Sequence, residues 1–293
     1  MTQRAINLLL FIVGSLPLSI NRGIAGVIAW CLCRSNNSVR RVTEINIGAT
    51  KPNLTAQQHQ QLVRRSIYST LMNSLEMPYI WHSSNRRLRD KIESIDNETI
   101  IHEAIANGTG VILLSPHVGN WELTGRMMAE YGEITSLYQP PKQQALEDIV
   151  RLGREKSGAV LVPTNQRGIA QLMKTLRAGK MIGILPDQVP KQSGVFVPFF
   201  GIPAYTMTLV YSFIKKTQCK VVLVYGLRTQ KGFRIIFKRP PEALYSNDQT
   251  ASVTALSQLV EMSTEEDYAQ YQWAYKRFKK QPDDSHFYGQ RPK

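Results

Sequence analysis

Cysteine is scarce in this chain: three in 293 residues, two of them in Cys31-Leu32-Cys33 inside an apolar stretch. That excludes a disulfide scaffold and reads as small core residues of a protein kept in a reducing compartment. Acids are scarce as well, 22 against 36 Lys+Arg, a net charge of +14. No run of about 18 or more strongly apolar residues occurs, which excludes a polytopic membrane protein. Internal repeats, low-complexity tracts and Pro/Ser-rich linkers are missing too. The chain is 43% hydrophobic and 9% aromatic, enough to bury a core and to exclude a disordered polymer.

Several chemistries are missing in the same way. There is no Walker A run and no Gly-x-Ser-x-Gly elbow. Gly108-Thr-Gly110 precedes a strand instead of following one, so it is not a dinucleotide fingerprint. No second His or Cys stands at ligand spacing near His117, so no metal site is expected.

The charge is unevenly placed. Residues 1–91 hold 12 Lys/Arg against Glu44, Glu76 and Asp90, so +9 of the +14 lies there. The same third carries the most apolar stretch, Ala5–Asn21 and then Gly23–Cys33, flanked by Arg34, Arg40, Arg41, Arg64 and Arg65. That pattern suggests a segment seated on an anionic bilayer through residues 1–33. A buried helical hairpin and a cleaved signal peptide compete with it, although Arg4 is a thin charged leader and no small-x-small site follows Ile20.

Residues 36–82 read as helices, with Thr55 as an N-cap. From residue 92 the pattern alternates. Helices are expected at 97–107, 120–131, 142–156 and 165–178, and strands at 111–115, 134–138, 159–163 and 181–185. A hairpin of 221–228 and 233–238 follows, then a helix near 251–264 and a basic aromatic tail. Continuous apolar strands between amphipathic helices predict an α/β fold, a mostly parallel central sheet flanked by helices. The expected organisation is a helical membrane-associating element over 1–35 and a single α/β domain over 36–293.

Five histidines are present, and His117 stands apart, just past a buried strand and Pro116, where open α/β sheets gather their ligands. It opens the run His117-Val-Gly-Asn-Trp-Glu122. Within one helix, five residues would turn Glu122 about 140° away from His117. The two can meet only if His117 lies in a turn before the helix, with Gly119 in the turn and Asn120 as its N-cap. Glu122 would then hold one ring nitrogen and leave the other to take a proton from a hydroxyl. A capping turn with an incidental histidine is the competing reading.

His117-x4-Glu122 resembles the HX4D/E motif of glycerolipid acyltransferases. Three further blocks extend the likeness: Leu185-Pro-Asp-Gln188, Gly194-Val-Phe-Val-Pro-Phe-Phe-Gly201 and Gln272-Trp-Ala-Tyr-Lys-Arg-Phe278. With Ser115–Glu122 they lie in order along most of the chain, and the set resembles the lauroyl/myristoyl acyltransferases of lipid A biosynthesis. The resemblance implies transfer of a fatty acyl group from acyl carrier protein to a hydroxyl of a lipid A precursor, at the cytoplasmic face of a bacterial inner membrane. It implies His117 as general base and Glu122 as its orienter, with Arg154 and Asp187 close to the active site. Phe196, Phe199 and Phe200 become candidates for the acyl-chain groove. No cofactor is implied beyond the carrier-protein thioester, because a thioester is already activated. Oxyanion donors are either the amides heading helix 120–131 or Arg154. One departure is Tyr275 in Trp273-Ala-Tyr275, where members often carry a second Trp.

By their local sequence alone, Arg154 is a solvated cation at a helix end, Asp187 an Asx-turn residue before Pro190, and the three phenylalanines ordinary core. Acylation of a lysophospholipid or another glycolipid is the alternative within the class. A basic nucleic-acid-binding protein is the alternative outside it, though no nucleic-acid motif is present and the basic residues cluster around apolar helices.

Overall fold

The computed structural model describes residues 3–140, 144–191 and 193–289. Four helices open the chain: α1 (Gln3–Ser15), α2 (Leu18–Arg34), α3 (Ser38–Thr50) and α4 (Ala56–His82). Pro17 heads α2, and the axes of α1 and α2 meet at 117°. No single helix among the described residues is long and apolar enough to cross a membrane. Both α1 and α2 pack along α4. A capping box starts α4: Thr55 Oγ1 accepts from the Gln58 amide, and the Gln58 side chain accepts from the Thr55 amide. Cys31 is exposed on α2 and Cys33 half-buried, which corrects their reading as core; Cys219 is the buried cysteine.

A short helix α5 (Asn85–Arg89) leads into the sheet. The next elements are β1 (Ile92–Asp96), α6 (Thr99–Ala106), β2 (Val111–Leu114), α7 (Trp121–Met128) and β3 (Ile134–Tyr138). Then come α8 (Gln144–Glu155), β4 (Val160–Pro163), α9 (Gln166–Arg177) and β5 (Met181–Ile184). A hairpin of β6 (Gly194–Phe199) and β7 (Ile202–Met207) precedes α10 (Leu209–Thr217). The chain continues through β8 (Lys220–Arg228), β9 (Phe233–Lys238) and α11 (Gln249–Met262).

Seven strands form one sheet in the order β1-β9-β8-β2-β5-β3-β4. Every neighbouring pair is parallel except β8 and β9, which are a hairpin. Strand periodicity divides the core between the two faces. Val221, Leu223, Tyr225 and Leu227 of β8 point into one cluster with Leu172 and Leu176 of α9 and Leu256 of α11. Val222 and Val224 point into the other, with Ile101 of α6 and Leu123 and Met127 of α7. The α/β expectation is met.

Five elements lay outside the sequence reading, the short helix α5 among them. β1 is an edge strand, Ile-Glu-Ser-Ile-Asp, whose middle is exposed, so it lacks the continuous apolar run of a buried strand. The β6–β7 hairpin turns at Phe200 and Gly201, both at positive φ. The last is α10. The predicted helix 142–156 extends, at 142–143, outside the described residues.

Candidate active site

β2 and β5 lie side by side and in register, Leu114 opposite Ile184. Each strand is followed by a two-residue exit ending in proline, Ser115-Pro116 and Leu185-Pro186. The next residues are His117 and Asp187. Equal strand ends and equal exits bring these two side chains together at the carboxyl edge of the sheet. His117 Nδ1 lies 2.9 Å from Asp187 Oδ1, and the His117 amide donates to Asp187 Oδ2 at 3.1 Å. Asp187 is buried and His117 nearly so. Burial raises the Asp187 carboxyl, but the adjacent imidazole and the two His117 hydrogen bonds outweigh it and hold it below its ordinary value. Tyr271 is pushed well above the ordinary phenol value, first by burial and then by the Asp187 charge beside it.

The other ring nitrogen, Nε2, lies 3.1 Å from the Gln188 amide nitrogen. The Gln188 amide nitrogen also donates to Gln272 Oε1 at 3.3 Å. An amide donor at Nε2 and a carboxylate at Nδ1 select one tautomer: the proton sits on Nδ1 and the lone pair on Nε2. The Trp121 ring stands edge-on to the imidazole, centroids 4.7 Å apart.

Glu122 does not hold His117, which corrects the expected pairing. It lies in the first turn of α7 and is directed at α4 and α8. Its Oε2 accepts from Trp81 Nε1 at 3.0 Å and from Arg154 Nε at 3.1 Å, while Arg154 Nη2 closes the fork on Oε1. Burial works against the charged form of Glu122, but the Arg154 charge and these hydrogen bonds hold the carboxyl below its usual range. The Arg154 side chain is one-third exposed and stands over the Tyr138 ring. It is therefore not the solvated helix-end cation that its local sequence suggests. Gly153 packs so closely on Trp81 that a Cβ there would come within 2.5 Å of it.

The turn between His117 and α7 is pinned by backbone. Gly119 has φ +58°, and a Cβ there would lie 2.0 Å from the Gly226 carbonyl oxygen. Its amide donates to Gln270 O, and the Asn120 amide donates to Gly226 O. Asn120 is the N-cap of α7, accepting from the Leu123 amide at 3.0 Å. It is fully buried with both ends of its amide engaged, so its side chain shapes the turn. The Gly119, Asn120, Leu123 and Thr124 amides are all spent on the turn and on α7 itself.

The three phenylalanines do not line one groove. The pleat of β6 sends Phe199 inward among Tyr271, Trp273 and Phe278, where it is 1% exposed. Phe196 faces outward against Tyr205, 38% exposed. Phe200 packs on Tyr268 and Trp273. Phe199 is core. The Tyr275 hydroxyl accepts from the Val189 amide at 3.0 Å, anchoring the segment after Asp187. Among the described residues, no three His, Cys, Asp or Glu side chains are grouped to hold a metal ion.

The sequence reading gave no role to Trp81, Gln188 or Gln272 and missed the His117–Asp187 pairing itself. The pairing had a signal. Val-Ile-Leu-Leu-Ser-Pro-His and Met-Ile-Gly-Ile-Leu-Pro-Asp are the same strand exit written twice.

A parallel sheet with a carboxylate-held histidine at its carboxyl edge, and an arginine–glutamate pair beside it, is the framework of an acyltransferase. The chain belongs to the bacterial lipid A biosynthesis acyltransferase family, whose model matches residues 2–280. It is 25% identical over 276 residues to a lipid A biosynthesis acyltransferase of Haemophilus influenzae, covering 92% of this chain and 87% of that protein. It is 25% identical to the lipid A biosynthesis palmitoleoyltransferase of Escherichia coli, over 81% of this chain and 78% of the relative. The lipid A biosynthesis lauroyltransferase of the same organism is 24% identical, over 83% and 80%.

Proposed function

We propose that this protein moves a fatty acyl group from acyl carrier protein to a hydroxyl of a lipid A precursor, with His117 as general base. The observation that carries the reading is a histidine held at Nδ1 by a buried carboxylate, with its Nε2 lone pair facing only a displaceable amide. The acceptor hydroxyl takes the place of the Gln188 amide and gives its proton to Nε2 as its oxygen attacks the thioester carbonyl. Asp187 stabilises the imidazolium that forms. Arg154, fixed by Glu122, faces the negative charge that develops on the carbonyl oxygen. The tetrahedral adduct collapses with loss of the carrier thiolate, which takes the proton back from Nε2. The thioester supplies the activation, so no metal or nucleotide is required.

The same reading seats α1 and α2 on the cytoplasmic face of the inner membrane. Leu8, Leu9, Phe11, Ile12, Ile20, Ile24, Val27, Ile28 and Trp30 are exposed there, nine of the fourteen exposed large apolar residues among those described. Arg34 lies over the Trp30 ring at 3.9 Å, an amphipathic pair suited to the headgroup level. The net charge of +14 suits both an anionic bilayer and an acidic carrier protein.

The deciding experiment incubates the protein with a tetra-acylated lipid A precursor and acyl carrier protein bearing chains of mixed length, and reads products by mass spectrometry. One added acyl group is expected, and His117→Ala should lower the rate by roughly 10²–10⁴-fold. An unchanged acceptor beside intact donor, or full turnover by the variant, would sink the reading.

A further inference from the structure

Beneath the turn that carries His117 lies a second cluster of buried charge. Glu76, on α4, is fully buried. Its Oε1 accepts from Arg22 Nε of α2 at 2.9 Å. Its Oε2 accepts from Arg228 Nε of β8 at 2.6 Å and from Asn120 Nδ2 at 2.9 Å. Two guanidiniums on one carboxylate leave a net positive charge inside the protein, and taking each ion out of water costs several kcal/mol. The remaining guanidinium donors are satisfied by neutral acceptors. Arg22 reaches the carbonyls of Thr229, Gln230 and Gly232, and Arg228 reaches Ser69 Oγ and Asn73 Oδ1. Apolar packing would serve stability as well or better. What the charges add is a fixed orientation for whatever they hold.

They hold Asn120. Its Oδ1 is spent on capping α7, and its Nδ2 has Glu76 as its acceptor. Gln270 closes the circuit: its side chain bridges the Arg228 amide and carbonyl, while its own carbonyl accepts from the Gly119 amide. His117 lies three residues before Asn120 and Glu122 two after it, so this amide, its far end fixed by Glu76, joins the main-chain bonds in setting the turn between the two halves of the site.

We propose that Glu76 is a positioning residue for acyl transfer. Its carboxylate fixes Asn120, and through Asn120 the turn that sets His117 and Glu122. The inference rests on the reaction proposed above, but it has a readout that does not.

Two full-length variants test it. Glu76→Gln keeps the size but removes the charge and presents an amide where an arginine needs an acceptor. Asn120→Ser keeps an N-cap oxygen for the Leu123 amide but loses the donor to Glu76. Both should lower kcat roughly 10- to 100-fold through misplacement of the reacting groups. KM for the lipid acceptor should stay within about twofold, because no contact with substrate is lost. Amide hydrogen exchange should speed up over residues 117–124 while β2 keeps its protection. Normal kcat in Asn120→Ser, or unchanged exchange over 117–124, overturns the proposal. Should Glu76→Gln fail to fold, Asn120→Ser decides, because Glu76 there retains both arginines. A wild-type protein without acyl transfer strikes the functional reading and leaves Glu76 judged by exchange alone.

Discussion

The two carboxylates of the site sit in differently built surroundings. Asp187 is placed by strands: β2 and β5 run in register, and two identical exits deliver His117 and Asp187 to each other within a few residues of the ladder. Glu122 is placed by helices: its partners come from the last turns of α4 and α8, 41 and 32 residues away in the chain. A strand ladder fixes its neighbours through main-chain bonds that no side-chain substitution removes. Helix packing fixes them through side chains alone, such as Trp81 wedged against Gly153. The strand-built half is therefore held by main chain, and the helix-built half by side-chain packing.

Breaking the strand-built half should have the larger effect. Asp187→Asn keeps the shape and the main-chain ladder but offers an amide to Nδ1, which favours the wrong tautomer and leaves the imidazolium without its counter-charge. Turnover should drop by about 10²–10⁴-fold with little change in KM. Steady-state kinetics on the purified variant measures this, and a loss below tenfold would remove Asp187 as the partner of the base.

The contrast also explains what could be read from the sequence. Strands β2, β3 and β5 were legible within a residue and their flanking helices within two or three, because a buried parallel strand writes a largely apolar run. His117 was legible for the same reason, since it ends such a run. Its partner was misread because chain proximity favoured Glu122, five residues on, over Asp187, seventy residues on. Only the register of β2 against β5 reverses that preference, and register is a tertiary fact. Glu76 was legible only as one of three acids in a basic third of the chain. Nothing local distinguishes a buried hub on α4 from a solvated glutamate. Phe199 and Phe196 were grouped as groove candidates by the family resemblance, whereas the alternation of a strand that had not been assigned separates them.

The helix-built half should give a smaller, mixed effect. Glu122→Gln frees Arg154 from its fork and leaves Trp81 Nε1 with a weaker acceptor. A turnover loss of roughly 10–100-fold is expected as Arg154 drifts from the reacting carbonyl. The stability loss should fall at the low end of the about 3–5 kcal/mol seen for broken buried pairs, because a third of the Arg154 side chain meets solvent. Chemical denaturation alongside kinetics checks both. Loss of stability with full turnover per folded molecule would make the pair purely structural.

The smallest effect is in pH dependence, and it separates the halves by charge alone. Glu122 and Asp187 both titrate below their ordinary values in the folded protein. A carboxyl with a depressed folded pKa contributes stability that is whole above its unfolded value, about 4, and is lost as pH falls through the folded one. Unfolding midpoints should therefore show no change owed to these two groups between pH 7 and 5, and should fall below about pH 4. Glu122→Gln should flatten that acid limb by up to one proton's worth of slope and leave the Asp187 part intact. An acid limb identical to wild type in Glu122→Gln would mean that the Arg154 fork does not hold Glu122 ionised, and Arg154 would lose its fixed place beside the reacting carbonyl.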